Sequence, residues 1–113
     1  QIMKILIVIY SPDAETAWNA FRYANSALAY EDEVTVFLMG KGVECLSGSN
    51  LKFNVLEYKE MFDDEGGKVV GCGVCCESRI DTMPSLEEEL ACELGSMQQF
   101  YVLVKESDKV LTF

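Results

Sequence analysis

The segment from Ile2 to Tyr10 constrains the fold more than any other part of the chain. It reads IMKILIVIY, a nearly unbroken apolar run in which isoleucine and valine dominate. Such runs are typical of a central parallel strand that is covered on both faces. The segment from Val34 to Met39 reads VTVFLM and predicts a second buried strand for the same reason.

A long amphipathic helix is predicted between these two strands, from about Pro12 to Tyr30. Ser11 is in place to cap it, and Pro12 fits its first position because a proline there loses no helical hydrogen bond. Strand, helix and strand in this order predict a right-handed βαβ unit. The apolar residues of the helix recur at helical spacing: Ala14, Ala17, Trp18, Phe21, Ala24 and Leu28.

The middle of the chain predicts one helix and one strand. Asn54 and Glu57 have the spacing of a capping box, which predicts a helix from about Val55 to Asp64. The alternation in LKFNV, residues 51–55, would also fit a strand. The segment KVVGCG, residues 68–73, predicts a short third strand.

The last third of the chain predicts two further helices and two further strands. Ser85 with Glu88 and Ser96 with Gln99 form two more capping boxes, each at the start of a helix. The strands are predicted over residues 91–94 and 109–113. The apolar face of the second of these helices is predicted to consist of Met97, Phe100, Tyr101 and Val104.

Together these elements predict a three-layer α/β/α fold with a mostly parallel five-stranded sheet, in a single domain over residues 1–113.

The net charge of −10 disfavours direct binding to nucleic acid or anionic lipid. The apolar opening run is too short to span a membrane and lacks the layout of a signal peptide. We therefore expect a cytoplasmic protein that binds neither nucleic acid nor membranes.

Three of the five cysteines lie in GCGVCCESR, residues 71–79, in a chain without histidine. The odd count and the lack of a secretion signal argue against a stable disulfide framework. Cys72 falls at the carboxyl end of the predicted third strand, where open α/β sheets build their sites. The amides that follow Cys72 and the charge of Arg79 would favour its thiolate, the nucleophilic form. Cys72 and Cys75 are therefore the candidate reactive residues.

Other interpretations of the cysteines remain open. A zinc or iron–sulfur site would use Cys72, Cys75 and Cys76, and would need Cys45 and Cys92 or a second subunit to complete its ligands. A C-x-x-C dithiol redox protein would use only Cys72 and Cys75. A non-catalytic oligomeric binding module would leave the thiols inert, and Cys45 and Cys92 fit the pattern of small buried hydrophobes.

Three polar residues elsewhere in the chain also follow predicted strands. Ser11 and Asp13 come after the first strand, and Lys41 comes after the second. Because loops that follow parallel strands share one edge of the sheet, these residues are candidates for the edge of the same site.

Over almost its whole length the chain resembles the DsrE/DsrF-like proteins of the sulfur-relay group. The resemblance rests on KILIVIYSPD, VTVFLMGKGV, GGKVVGCGVCCESRID and LGSMQQFYVLVKESDKVLTF. Its most specific parts are Cys72 with Arg79 seven residues later, and the closing segment from Gly95 to Phe113. It implies a doubly wound, flavodoxin-like sheet and assembly into homotrimers or hexamers.

The resemblance also implies an activity, that of a cytoplasmic persulfide carrier. Cys72 would accept sulfane sulfur from a donor protein and pass it to an acceptor protein, with no cofactor beyond the covalent persulfide on Cys72. The amides of Gly73 and Val74 and the charge of Arg79 would stabilise the persulfide anion. Cys75 would be a resolving thiol or a second carrier, with Cys76 as a third thiol of the motif.

Overall fold

The computed structural model describes residues 1–113 and contains one five-stranded sheet. Its strands lie in the order β4-β3-β2-β1-β5, and every neighbouring pair is parallel. The α/β fold class is therefore confirmed, with a sheet that is wholly rather than mostly parallel. The strands are β1 (Lys4–Ile9), β2 (Glu33–Leu38), β3 (Lys68–Cys72), β4 (Glu93–Gly95) and β5 (Lys109–Thr112).

Five α-helices and one 3₁₀ helix connect the strands. The crossovers from β1 to β4 all step in one direction across the sheet, whereas the last crossover returns to place β5 beside β1. Because parallel crossovers are right-handed, the last helix lies on the opposite face from the others, which makes three layers. The helices are α1 (Ala14–Ala29), the 3₁₀ helix (Gly40–Glu44), α2 (Val55–Asp64), α3 (Gly73–Glu77), α4 (Leu86–Leu90) and α5 (Met97–Glu106).

The core is built from the sheet and the helices that cover it. All of β1 except its first residue is buried, as the unbroken apolar run predicts. On one face, Phe21 of α1 packs edge to face against Phe62 of α2, with ring centroids 6.0 Å apart. On the other, Phe37 of β2 meets Phe100 of α5 at 5.0 Å. The two-sided cover explains why β1 and β2 carry apolar residues at almost every position.

The helix starts agree with the sequence in part. Asn54 caps α2 as predicted, because its side chain accepts a hydrogen bond from the amide of Glu57, and the alternative strand over residues 51–55 is wrong. α1 begins at Ala14, later than the predicted start at about Pro12. Asp13, rather than Ser11, caps α1 by accepting from the amide of Thr16, so Pro12 lies before the helix.

The two capping boxes near the end of the chain have different outcomes. Ser96 caps α5 through the amide of Gln99, as predicted. Ser85 precedes α4 but makes no capping hydrogen bond through its side chain. The predicted strand at residues 91–94 begins too early, because Ala91 has a left-handed backbone (φ 46°) that ends α4.

The exposed side of α5 differs most from the prediction. Phe100 and Leu103 pack against the core. Met97 and Tyr101 are each 62% exposed and Val104 is 38% exposed, so the predicted apolar face is wrong for these three residues. A helix that covers one end of a sheet needs only a narrow apolar stripe, and the rest of the apolar surface of α5 lacks an intramolecular partner.

None of the helices is both long enough and apolar enough to cross a membrane.

Candidate functional site

The C-x-x-C motif lies at the carboxyl edge of the sheet, at the junction of β3 and α3. Cys72 is the last residue of β3 and the N-cap of α3, and Cys75 lies in the first turn of that helix. Their Cα atoms are 5.2 Å apart and their sulfurs form a disulfide. The other three cysteines are free, so this pair is a local bond and not a disulfide framework. One local disulfide forms because the strand-to-helix turn brings the two side chains together.

Each sulfur of the pair receives one backbone hydrogen bond. The amide of Cys75 donates to Sγ of Cys72, and the amide of Gly40 donates to Sγ of Cys75, each at 3.2 Å. Sulfur is a weak acceptor when neutral, but charge-assisted hydrogen bonds to a thiolate are stronger. The pair is therefore placed to carry negative charge on either sulfur after reduction.

Gly40 is a site residue that the sequence interpretation did not identify. It begins the 3₁₀ helix after β2 with a left-handed backbone (φ 57°), a conformation that glycine adopts without strain. The 3₁₀ helix also lies close to the end of β1, since a Cβ atom on Gly42 would overlap the carbonyl of Ile9. Two glycines in GKG thus allow the loop after β2 to reach the disulfide.

Arg79 does not donate to either sulfur. Its Nε donates to Oε2 of Glu44 at 2.7 Å, and one terminal nitrogen donates to the carbonyl of Cys75 at 2.9 Å. The negative charge of Glu44 offsets the positive charge that the sequence assigned to the thiolate. Arg79 instead links the disulfide loop to the 3₁₀ helix, which carries Gly40 and Glu44.

The other three cysteines are free and differ from the pair in their surroundings. Burial raises the pKa of the Cys45 thiol to about 12 and that of Cys92 to about 11. Burial also raises the pKa of Cys76, whose side chain is 3% exposed and belongs to the core. These thiols are protonated at neutral pH and are poor nucleophiles.

The cysteines do not converge into a ligand set. Cys72 and Cys75 are bonded to each other, and Cys76 lies in the core. No group of three or more His, Cys, Asp or Glu side chains is arranged to hold a metal ion. The alternative with Cys72, Cys75 and Cys76 as zinc or iron–sulfur ligands is therefore not supported by this geometry.

Comparison with known proteins decides the family. The model of the DsrE/DsrF-like family matches residues 3–113. The chain belongs to the DsrE/DsrF-like family. The strand-end cysteine and the closing segment that suggested the resemblance lie within this match.

This DsrE/DsrF-like protein is similar in sequence to two uncharacterized proteins and in fold to one solved structure. It is 34% identical to an uncharacterized protein of Methanocaldococcus jannaschii, over 98% of this chain and 100% of the relative. It is 36% identical to an uncharacterized protein of Methanopyrus kandleri, over 88% of this chain and 83% of the relative. A solved structure of a conserved protein of unknown function from Bacteroides thetaiotaomicron has a TM-score of 0.76 at 19% identity. The alignment covers 97% of this chain and 94% of that one, which supports the same fold.

The residues predicted at the edge of the site occupy that edge but make no hydrogen bond to the sulfurs. The hydroxyl of Ser11 accepts from the amide of Asp13, and the carboxylate of Asp13 caps α1. Lys41 is exposed on the 3₁₀ helix. In this DsrE/DsrF-like protein, Ser11 and Asp13 therefore have local structural contacts. Lys41 is the one cation among the three predicted residues.

A groove of about 580 Å³ lies beside the disulfide loop. Gly73 and Val74, the two residues between Cys72 and Cys75, form part of its wall, and Val74 is 74% exposed. The segment before α4 and the end of β4 also contribute to the lining. Its remaining lining residues are Cys76, Glu77, Ile80, Met83, Pro84, Leu86, Glu87, Leu94, Gly95 and Ser96.

Proposed function

We propose that this DsrE/DsrF-like protein is a cytoplasmic persulfide carrier in a sulfur relay, with Cys72 as the sulfur acceptor and Cys75 as the resolving thiol. The observation that carries the proposal is the Cys72–Cys75 pair at the carboxyl end of β3, with one backbone N–H on each sulfur. Membership of the family supports the same role. The proposal requires no cofactor, because the transferred sulfur is carried covalently on Cys72.

The proposed reaction starts from the dithiol. A thiol or dithiol reductant supplies two electrons and two protons to the disulfide. The thiolate of Cys72 then attacks the outer sulfur of a donor persulfide. The bond between the two donor sulfurs breaks, its electron pair leaves on the donor thiolate, and Cys72 carries the transferred sulfur.

Two fates are open to the persulfide on Cys72. An acceptor thiolate can attack the outer sulfur and take it, which returns Cys72 as a thiolate. Alternatively, the thiolate of Cys75 attacks Sγ of Cys72, which forms the disulfide and expels hydrosulfide. The amides of Cys75 and Gly40 favour the anionic sulfur in either case, while Gly73 and Val74 begin the helix that presents it.

The partners in this proposal are a donor protein, an acceptor protein and further copies of the chain. The exposed apolar residues of α5 and β5 support a homo-oligomer, because contacts between copies would remove their apolar area from water. The exposed members are Met97, Tyr101, Val102, Val104 and Val110. A homotrimer or a hexamer is the assembly that we propose.

The proposal is tested by intact-protein mass spectrometry of the reduced protein after incubation with cysteine persulfide. The Cys75→Ser variant should accumulate a mass increase of one sulfur atom, because it lacks the resolving thiol. Wild type should gain the sulfur transiently, release sulfide and end as the disulfide. The Cys72→Ser variant should gain no stable sulfur, and Cys92→Ser is the control that should behave as wild type.

Arg79 is tested in the same assay as a positioning residue. If Arg79 acts by linking the loop to Glu44, both Arg79→Lys and Arg79→Gln should slow sulfur loading, because neither reproduces the two contacts. If its charge alone mattered, Arg79→Lys would retain the wild-type rate.

The assignment of Cys72 as the sulfur acceptor has its own contrary outcomes. Added sulfur on the Cys72→Ser variant, or no added sulfur on the Cys75→Ser variant, would overturn it.

The disulfide favours a second candidate, a dithiol–disulfide redox protein. Such a protein would exchange electrons with thiol and disulfide partners through Cys72 and Cys75 and would carry no sulfane sulfur. Reversible oxidation of wild type, with no added sulfur on Cys75→Ser, would favour this candidate over the carrier.

A further inference from the structure

The groove beside the disulfide loop has an exposed apolar lining. Val74, Ile80 and Leu94 are 74%, 62% and 39% exposed, and each of them lines it. The buried residues Leu86 and Cys76 also line it, together with Met83 and Pro84. Apolar side chains at the rim of a concave site are available to a ligand without any change in the core.

The charged residues in the lining are all acidic. Glu77 of α3 and Glu87 of α4 line the groove and are exposed, and no lysine or arginine does so. Arg79, the one basic residue of the neighbouring loop, is paired with Glu44. The chain as a whole carries a net charge of −10. An apolar ligand with positive charge therefore matches the groove, whereas an anionic ligand is repelled.

The shape of the surroundings favours an extended polypeptide. β4 is an edge strand, so its outer side has no strand neighbour, and Leu94 and Gly95 of β4 also line the groove. Free backbone groups along a sheet edge pair readily with an extended chain. The groove thus offers apolar contacts, acidic side chains and a strand edge together.

The groove is adjacent to the reactive pair through the chain itself. Gly73 and Val74 separate Cys72 from Cys75 and also form its wall. We propose that the groove binds an extended, cationic and partly apolar segment of the partner protein, the segment that carries the sulfur-bearing cysteine. This inference rests on the proposed persulfide-carrier function, and it identifies the kind of partner that the site accepts.

Binding is tested first, with peptides that cannot transfer sulfur. Two fluorescent peptides share an apolar centre with serine at the cysteine position, and they are flanked by lysines or by glutamates. The lysine peptide should bind about tenfold more tightly at low salt, and the preference should disappear at about 1 M salt. Equal binding of the two peptides to wild type would overturn the proposal.

Charge-reversed variants locate the binding surface. Glu77→Lys with Glu87→Lys should abolish or reverse the preference for the lysine peptide. The matched control is Glu65→Lys with Glu106→Lys, because both residues are exposed and lie at the opposite edge of the sheet. Glu65 follows the last residue of α2, and Glu106 is the last residue of α5. The control has the same change in net charge and should retain the preference. A loss of preference in both double variants would assign the effect to overall charge and overturn the groove as the site.

Sulfur transfer from the same peptides separates this inference from the function on which it rests. With cysteine persulfide in place of serine, the lysine peptide should load reduced Cys75→Ser about tenfold faster than the glutamate peptide. Selective binding without any sulfur transfer would overturn the carrier function, and the groove would still be supported as a peptide-binding site. Sulfur transfer at equal rates from both peptides would overturn the role of the groove, and the carrier function would still be supported. Reaction with uncharged dithiodipyridine should be unchanged in both double variants.

Discussion

The five thiols of this chain differ because of the atoms that surround each sulfur. Cys72 and Cys75 lie at a strand end, where two backbone amides point at them. Cys45 and Cys76 lie in the core, and Cys92 is partly buried against it. Burial disfavours the charged thiolate, so the pKa values of Cys45, Cys76 and Cys92 are raised. These three thiols are therefore weaker nucleophiles at neutral pH than an exposed cysteine would be.

The raised pKa of Cys45 predicts a stability change at high pH. Burial raises the folded-state pKa of the Cys45 thiol from its ordinary value of 9.0 to about 12, so the folded state holds this proton when the unfolded state has lost it. The stabilisation is complete below about pH 9 and should fall by about 1.4 kcal/mol per pH unit as the pH rises towards 12.

The measurement is urea unfolding between about pH 8 and pH 11, with and without Cys45→Ala. Both proteins carry Cys72→Ser and Cys75→Ser, so that thiol–disulfide exchange does not contribute. The difference in unfolding free energy between the protein with Cys45 and the Cys45→Ala variant should shrink as the pH rises, because only the former retains the Cys45 thiol. Parallel curves over this range would contradict the raised pKa of Cys45.

At the scale of elements, capping hydrogen bonds show which helix starts are determined by the nearby sequence. Ser85 and Ser96 occur in the same S-x-x-[EQ] pattern, yet only Ser96 accepts a hydrogen bond from the third residue of its helix. Ser85 has φ −99° and ψ 11°, outside the extended conformation that a capping serine normally adopts. The pattern therefore identifies a candidate cap, and the backbone of the preceding loop determines whether the cap forms.

The two serines make a matched pair for measurement. Ser96→Ala should lower the free energy of unfolding by about 1 kcal/mol, because it leaves an amide of α5 without its side-chain partner. Ser85→Ala should change it by less than about 0.5 kcal/mol, as an ordinary surface substitution does. Urea unfolding of both variants under one set of conditions gives the comparison. Equal losses would mean that Ser85 also caps its helix.

At the scale of the whole molecule, the last crossover leaves an apolar surface without an intramolecular partner. α5 is the single long helix on its face of the sheet, and β5 is an edge strand. Tyr101 is 62% exposed and Val110 is 42% exposed. Burial of such residues between copies of the chain would remove their apolar area from water.

Substitution on this surface should change the oligomeric state. Tyr101→Glu should shift the protein from an oligomer to a monomer in sedimentation velocity, because a buried carboxylate at an interface is costly. Tyr30→Glu is the matched control, since Tyr30 is an 84% exposed tyrosine in the turn after α1. It should leave the assembly intact. A wild-type protein that is monomeric at every concentration would rule out the homo-oligomer.

The sequence alone was sufficient for the features that depend on neighbours a few residues away. Apolar runs located β1 and β2, a capping box located α2, and a change from strand to turn placed Cys72 at a strand end. Periodicity and caps report short-range physics, so they survive without knowledge of the fold. The α/β class follows from the order of these elements.

Only the tertiary structure decided which distant groups meet at the site. Gly40 reaches Sγ of Cys75, and Glu44 reaches Arg79, each across 35 residues of sequence. Lys59 is 5% exposed and donates to the carbonyl of Ala91 across 32 residues. No local pattern encodes such partners, because they depend on which strands become neighbours and on how closely a loop approaches the next one. The sequence therefore determined where Cys72 and Cys75 lie, and the packing of the crossovers determined what surrounds them.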